Sequence, residues 1–281
     1  MFRFLRFFVS ALAVVVIAAG IVLHFVNRDK KDAPTIVCTI NDMLNVPVSV
    51  TDEELLKFVT ASDNQDGDLS DKIFVSRKTY FIGPKVSAIT YSVCDSDNNI
   101  SSLTKNIFYT DYHSPEIKLL NEFIFPSGYN FDLGRYVRAT DVIDGNLSDY
   151  VKVISSEFTN VSGEYKVNIK VSNSMADCTD ITINAIVTDE DYSQVRIVLE
   201  SYTTYVTAGQ TVDYQSFIRD VINKRETYYD TDDILIDDSG VDLTKPGVYD
   251  VFYRIPKSKY EPDKNATLSR LIVVVREEIK K

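Results

Sequence analysis

Two hydrophobic patterns divide the chain. From Phe7 to Val26 the sequence FFVSALAVVVIAAGIVLHFV carries no formal charge, and as a helix such a run would be about 30 Å long, the thickness of a hydrocarbon core. The expectation is an N-terminal membrane anchor. A cleaved signal peptide is the competing reading, with Arg3 and Arg6 as its basic region and Ala18-Ala19-Gly20 as a small-residue cleavage site. The apolar run continues past that site through Ile21, Val22, Leu23, Phe25 and Val26, which favours the anchor. Arg28, Lys30 and Lys31 nearly balance Arg3, Arg6 and the amino terminus across the run, so charge does not orient it.

Beyond Asp32 the pattern becomes short alternating runs separated by Gly, Asn, Asp and Ser. Tyr165, Val167, Ile169 and Val171 alternate with Glu164, Lys166, Asn168 and Lys170, as in a half-buried strand. Residues 86–93, 181–187, 249–255 and 271–275 read the same way. Helical spacing is confined to residues 52–60 and 214–224. Many short strands with turn signals between them predict β-sandwiches.

Repetition organises these strands. Residues 61–71, ASDNQDGDLSD, recur 78 positions later as ATDVIDGNLSD, with seven of eleven positions identical. Each copy leads to a glycine, Gly83 or Gly163, and then to an alternating strand. A looser third copy runs from Asp233 to Ile255 with Gly247 in the place of Gly163, and it lacks the Asp-Gly turn. The expected organisation is all-β: an N-terminal membrane anchor and its flanks over residues 1–32, then three tandem sandwiches over 33–113, 114–190 and 191–281.

The alanine, the acidic Asp-Gly turn, the Gly-x-Tyr-x-Val strand and a turn such as Asp95-Ser-Asp-Asn-Asn99 together resemble the bacterial immunoglobulin-like domains of secreted and surface proteins, including the type found in a pesticidal crystal protein. Residues 241–253, VDLTKPGVYDVFY, are especially similar. The resemblance spans roughly residues 34–276. It implies an extracytoplasmic body at the cell surface, and domains of this kind serve as spacers, adhesins or accessory modules rather than fixing one function.

Composition narrows the chemistry. The chain has 281 residues, 44% hydrophobic and 25% charged, the mix of an ordinary globular protein. Residues 1–28 hold three arginines and no acid, leaving 27 basic against 41 acidic residues in the rest, a net of −14 that repels phosphate backbones and argues against nucleic-acid binding. Two His, three Cys and no Trp offer little material for catalysis. His24 falls within the apolar run and His113 in a linker without a partner in sequence, and no Gly-x-Ser-x-Gly motif occurs. The expectation is a non-enzymatic protein with no cofactor, acting as an interaction or adhesion module or stalk. A carbohydrate- or cell-wall-binding accessory protein is the alternative.

Asp63, Asp66, Asp68 and Asp71 in one copy and Asp141, Asp144 and Asp149 in the other are hard oxygen donors suited to Ca²⁺. They equally suit tight turns in which Gly67 and Gly145 take a left-handed conformation, and their spacing is not that of a helix-loop-helix calcium site. Tyr202, Tyr205, Tyr214, Tyr228 and Tyr229 crowd the third copy, as a platform for a sugar or protein partner or as core residues. Cys38 and Cys94 share a copy and are candidates for a disulfide, with three isolated thiols as the alternative.

Overall fold

The computed structural model describes residues 14–22, 33–155, 157–189, 195–223, 231, 234–255 and 268–277. The first described element is helical over residues 14–22 (α1). Among the described residues no helix is long and apolar enough to cross a membrane. The single-pass anchor, and the membrane location inferred from it, are therefore not supported. A span requires about twenty residues of continuous apolar helix, and the described part of the run is nine residues. Residues 7–13 and 23–26 of the expected run lie outside the described residues.

The chain divides into two compact units, Met1–Tyr112 and His113–Lys281. The first holds β1 (Thr35–Cys38), β2 (Leu44–Val46), α2 (Asp52–Leu56), β3 (Val59–Asp63), β4 (Gly67–Asp68), β5 (Phe74–Lys78), β6 (Val86–Cys94) and β7 (Ile100–Tyr109). They form a β1-β3-β4 sheet and a β2-β7-β6-β5 sheet. The short helix α2 starts at a capping box, in which the Thr51 hydroxyl accepts the Glu54 N–H and the Glu54 carboxylate accepts the Thr51 N–H. Alternation sorts the faces of β6: Ile89, Tyr91 and Val93 are fully buried, while the hydroxyls of Thr90 and Ser92 bond to Thr104 and Ser102 on the opposite face.

The second unit contains two further copies of this strand order. In the earlier, β8 (Glu116–Leu119), β10 (Val137–Asp141) and β11 (Gly145–Asn146) form one sheet. The other sheet is β12 (Lys152–Ile154), β13 (Gly163–Ser172), β14 (Cys178–Thr188) and β9 (Ile124–Pro126). In the later, β15 (Val195–Leu199) pairs with β17 (Ile218–Asn223), and β16 (Thr203–Thr207), β20 (Leu268–Arg276), β19 (Gly247–Arg254) and β18 (Leu235–Asp237) form the four-stranded sheet. In all three copies the second strand runs parallel to the last. The described residues are all-β apart from helical segments, with several sheets consistent with β-sandwiches.

The Gly-x-Tyr pattern has a steric cause. The Tyr249 ring folds back over Gly247, so that a Cβ there would stand 3.0 Å from the hydroxyl, and Tyr165 lies over Gly163 in the same way. Two local expectations change. Of the stretch 214–224, the described residues 214–223 form one 3₁₀ turn, Tyr214–Phe217, followed by strand, because Ile218, Val221 and Ile222 are β-branched and pair with β15. Residues 271–275 are not half-buried: Leu271, Val273 and Val275 pack into the core of the third repeat, and Ile272 and Val274 into that of the second. All three cysteines are free, so Cys38 and Cys94 are not bridged.

Candidate functional site

The acidic turns are built alike in the first two repeats. Asp63 accepts the N–H groups of Gln65 at 2.8 Å and Asp66 at 3.0 Å, closing a turn at Gly67, where φ is +74°. Asp66 reaches to the hairpin between β6 and β7, accepting the Ser96 N–H at 2.6 Å and the Ser96 hydroxyl at 2.8 Å. Those bonds, the backbone one foremost, hold the Asp66 carboxyl below its usual pKa, and the Ser70 hydroxyl and N–H do the same for Asp68. In the second repeat Asp141 accepts from Ile143 and Asp144, and Asp144 clamps Ser174 at 2.6 and 2.7 Å. Asn146 replaces Asp68 and accepts from the Ser148 N–H and hydroxyl at 3.0 and 2.7 Å, so that position works without a charge. Among the described residues no three His, Cys, Asp or Glu side chains gather as a metal cluster. Sequence reasoning missed Ser96 and Ser174, although Ser174 stands 78 positions after Ser96, the same offset that relates the acidic turns.

Of the third repeat's tyrosines, Tyr228 and Tyr229 lie outside the described residues, while Tyr202 and Tyr205 are described. Tyr202 is half-buried against both cores of the second unit. Tyr205 points at β8, the outer strand of its sheet. Its hydroxyl accepts the Ile117 N–H at 2.6 Å and donates to the Ile117 carbonyl at 3.0 Å, while the Thr203 hydroxyl accepts the Leu119 N–H at 3.0 Å. Two side chains from β16 thus satisfy backbone groups that a strand edge leaves open. Burial, partly offset by the bond to Ile117, pushes the Tyr205 phenol up to about 12.

Two arginines of β20 complete the joint. Arg276 lies 4.0 Å from the Tyr205 ring centre, pairs with Glu116 at 3.3 Å and donates to the carbonyls of Ser114 and Pro115. Arg270 is fully buried, donating to the carbonyls of Glu122 at 3.2 Å and Asn184 at 2.5 Å, with Asp250 3.7 Å away. Burial raises the pKa of Glu122 and Asp250, and Arg196 sits 3.8 Å from Glu122. An arginine placed just before the apolar run LIVVV is the signal that could have disclosed this joint from sequence.

No family model and no curated protein matches the chain. Among solved structures, it is similar to the CBM51-2 and INT domains of Clostridium perfringens ZmpB in complex with GlcNAc, at 17% identity over 54% of this chain and 41% of that one, with a TM-score of 0.23. The human desmocollin-1 ectodomain matches at 11% identity over 89% of this chain and 62% of that one, TM-score 0.20. Drosophila N-cadherin EC1-4 matches at 10% identity over 89% and 76%, TM-score 0.22. The fold assignment rests on the sheets themselves rather than on these likenesses.

Proposed function

We propose that the chain is a non-enzymatic binding or adhesion module of three tandem immunoglobulin-like sandwiches, residues 33–113, 114–190 and 191–281, in which the last two form one stiff arm. The observation that supports this is the shared core: Ile272 and Val274 of the third repeat pack among Ile117, Leu119 and Ile183 of the second. A joint filled by apolar side chains and closed by Tyr205, Arg270 and Arg276 resists bending as a polar linker does not. In this reading the acidic turns are structural and hold no Ca²⁺, since their carboxylates already accept N–H and O–H bonds. The partner is a protein or a glycan, and the acidic net charge of −11 disfavours nucleic acid.

The test is a distance measurement between spin labels at Asp149→Cys and Asp220→Cys in the full chain, with the three native cysteines changed to serine. A single narrow distribution, the same with chelator or millimolar Ca²⁺, is expected. A broad distribution refutes the stiff arm, and one that narrows only with Ca²⁺ refutes the structural reading of the turns.

A further inference from the structure

One end of the second repeat carries an exposed aromatic residue that its own fold does not require. The loop after β9 turns at Gly128, whose φ is +80°, and the Gly128 N–H donates to the Asn160 carbonyl at 2.8 Å, joining it to the loop before β13. The residues that follow the two ends of this bond are Tyr129, 65% exposed, and Val161, 63% exposed. The tip is held firmly from behind. The Tyr165 hydroxyl donates to the Val161 carbonyl at 2.8 Å and bonds the Thr159 hydroxyl at 2.7 Å, and Phe131 and Phe158 pack against Phe125 beneath.

The third repeat builds the same scaffold and supplies an internal control. Gly209, with φ +89°, donates to the Leu243 carbonyl at 2.8 Å, and the Tyr249 hydroxyl donates to the Lys245 carbonyl at 3.0 Å. By the glycine bonds Gln210 occupies the place of Tyr129 and Leu243 that of Asn160, and by the tyrosine bonds Lys245 occupies the place of Val161, with Thr244 one extra residue in the third repeat's loop. Two polar residues therefore suffice for the fold where the second repeat displays a ring and an isopropyl group. Tyr129 keeps one ring contact, with Phe131 at 6.4 Å between centroids, and remains 65% exposed.

We infer that this tip, with Tyr129 as the stacking platform and Asn130 and Asn160 beside it, is a binding site for neutral pyranose sugars. The inference rests on the binding-module reading and adds a site to it. The patch is formed by Tyr129, Asn130, Thr159, Asn160 and Val161, all exposed. The tip offers one exposed aromatic ring, and one aromatic face matches one sugar ring. Carboxamides supply a donor and an acceptor side by side, the complement of vicinal hydroxyls. Asp132 and Glu157 lie close in sequence to the tip loops, Asp189 accepts the Ser127 hydroxyl, and the chain is acidic overall, so uronic or sulfated sugars are repelled.

The experiment titrates the full chain by calorimetry with chitotriose, cellotriose, maltotriose and mannotriose, each up to ~10 mM. At least one trisaccharide should bind. Tyr129→Ala should weaken it about tenfold or more, while Tyr129→Phe, which keeps the stacking face, should stay within about twofold. Gln210→Ala, which loses only the bond its side chain accepts from the Thr207 N–H, should leave binding unchanged, and every variant should retain the parent circular-dichroism spectrum at the temperature of the titration. Failure of every trisaccharide to bind, or equal binding by Tyr129→Ala, overturns the site. So does a concentration-dependent self-association that Tyr129→Ala removes, which would make the tip a protein contact. Any of these results with a narrow spin-label distribution leaves the stiff arm standing, so the two readings fail separately.

Discussion

Removing one oxygen atom should loosen the second unit. Tyr205→Phe keeps the ring, its packing and its stacking with Arg276, but deletes the hydroxyl that both accepts from and donates to Ile117. Ile117 is fully buried, so its N–H and carbonyl are left facing a gap too apolar to solvate them. An unsatisfied buried polar group costs about 1–3 kcal/mol, and two on one residue, with some relaxation, should cost about 2–4 kcal/mol. At roughly 2–4 °C per kcal/mol for a unit of this size, the melting transition of residues 113–281 should fall by roughly 5–15 °C. Urea unfolding followed by tyrosine fluorescence and far-ultraviolet circular dichroism should show a lower midpoint with unchanged m, and residues 33–112 should unfold as before. Thr203→Val, which strands only the Leu119 N–H, should cost less, and the double variant less than the sum because both act on one strand edge. A loss below about 0.5 kcal/mol for Tyr205→Phe, the size of an ordinary surface substitution, would refute the capped-edge account.

The same joint predicts that a chain ending at residue 189 keeps a folded first unit but loses cooperative unfolding in the second repeat, because Ile272 and Val274 no longer close its core; a sharp calorimetric transition for residues 113–189 would contradict this. Alkali should destabilise the protein. The phenols of Tyr205 and Tyr91 are each pushed up to about 12, chiefly by burial, from 10.0, so their contribution is full below pH 10 and lost as the pH rises towards 12. For Tyr205 the loss should be about 2–3 kcal/mol, and a Tm constant from pH 9 to 11.5 would count against it. Gly145→Val should lower the Tm by forcing a β-branched residue to φ near +71°, while millimolar Ca²⁺ leaves the parent Tm unchanged; a rise of several degrees with Ca²⁺ would assign the turns to cation binding.

Local chemistry by itself determined the strands and turns. Alternation of Val167, Ile169 and Val171 with charged neighbours admits one buried face, Asp-Gly admits one kind of turn, and a 78-residue repeat imposes one solution twice, down to the serines that Asp66 and Asp144 clamp. Tertiary structure decided what the third repeat's residues do. Nothing local distinguishes Tyr205, which caps a strand edge 88 residues away, from a tyrosine awaiting a ligand. Nor does the sequence LIVVV state that its two faces serve two different cores. Hydrogen-bond partners and buried faces are properties of pairs of surfaces, and a single chain segment specifies only its own side of each pair.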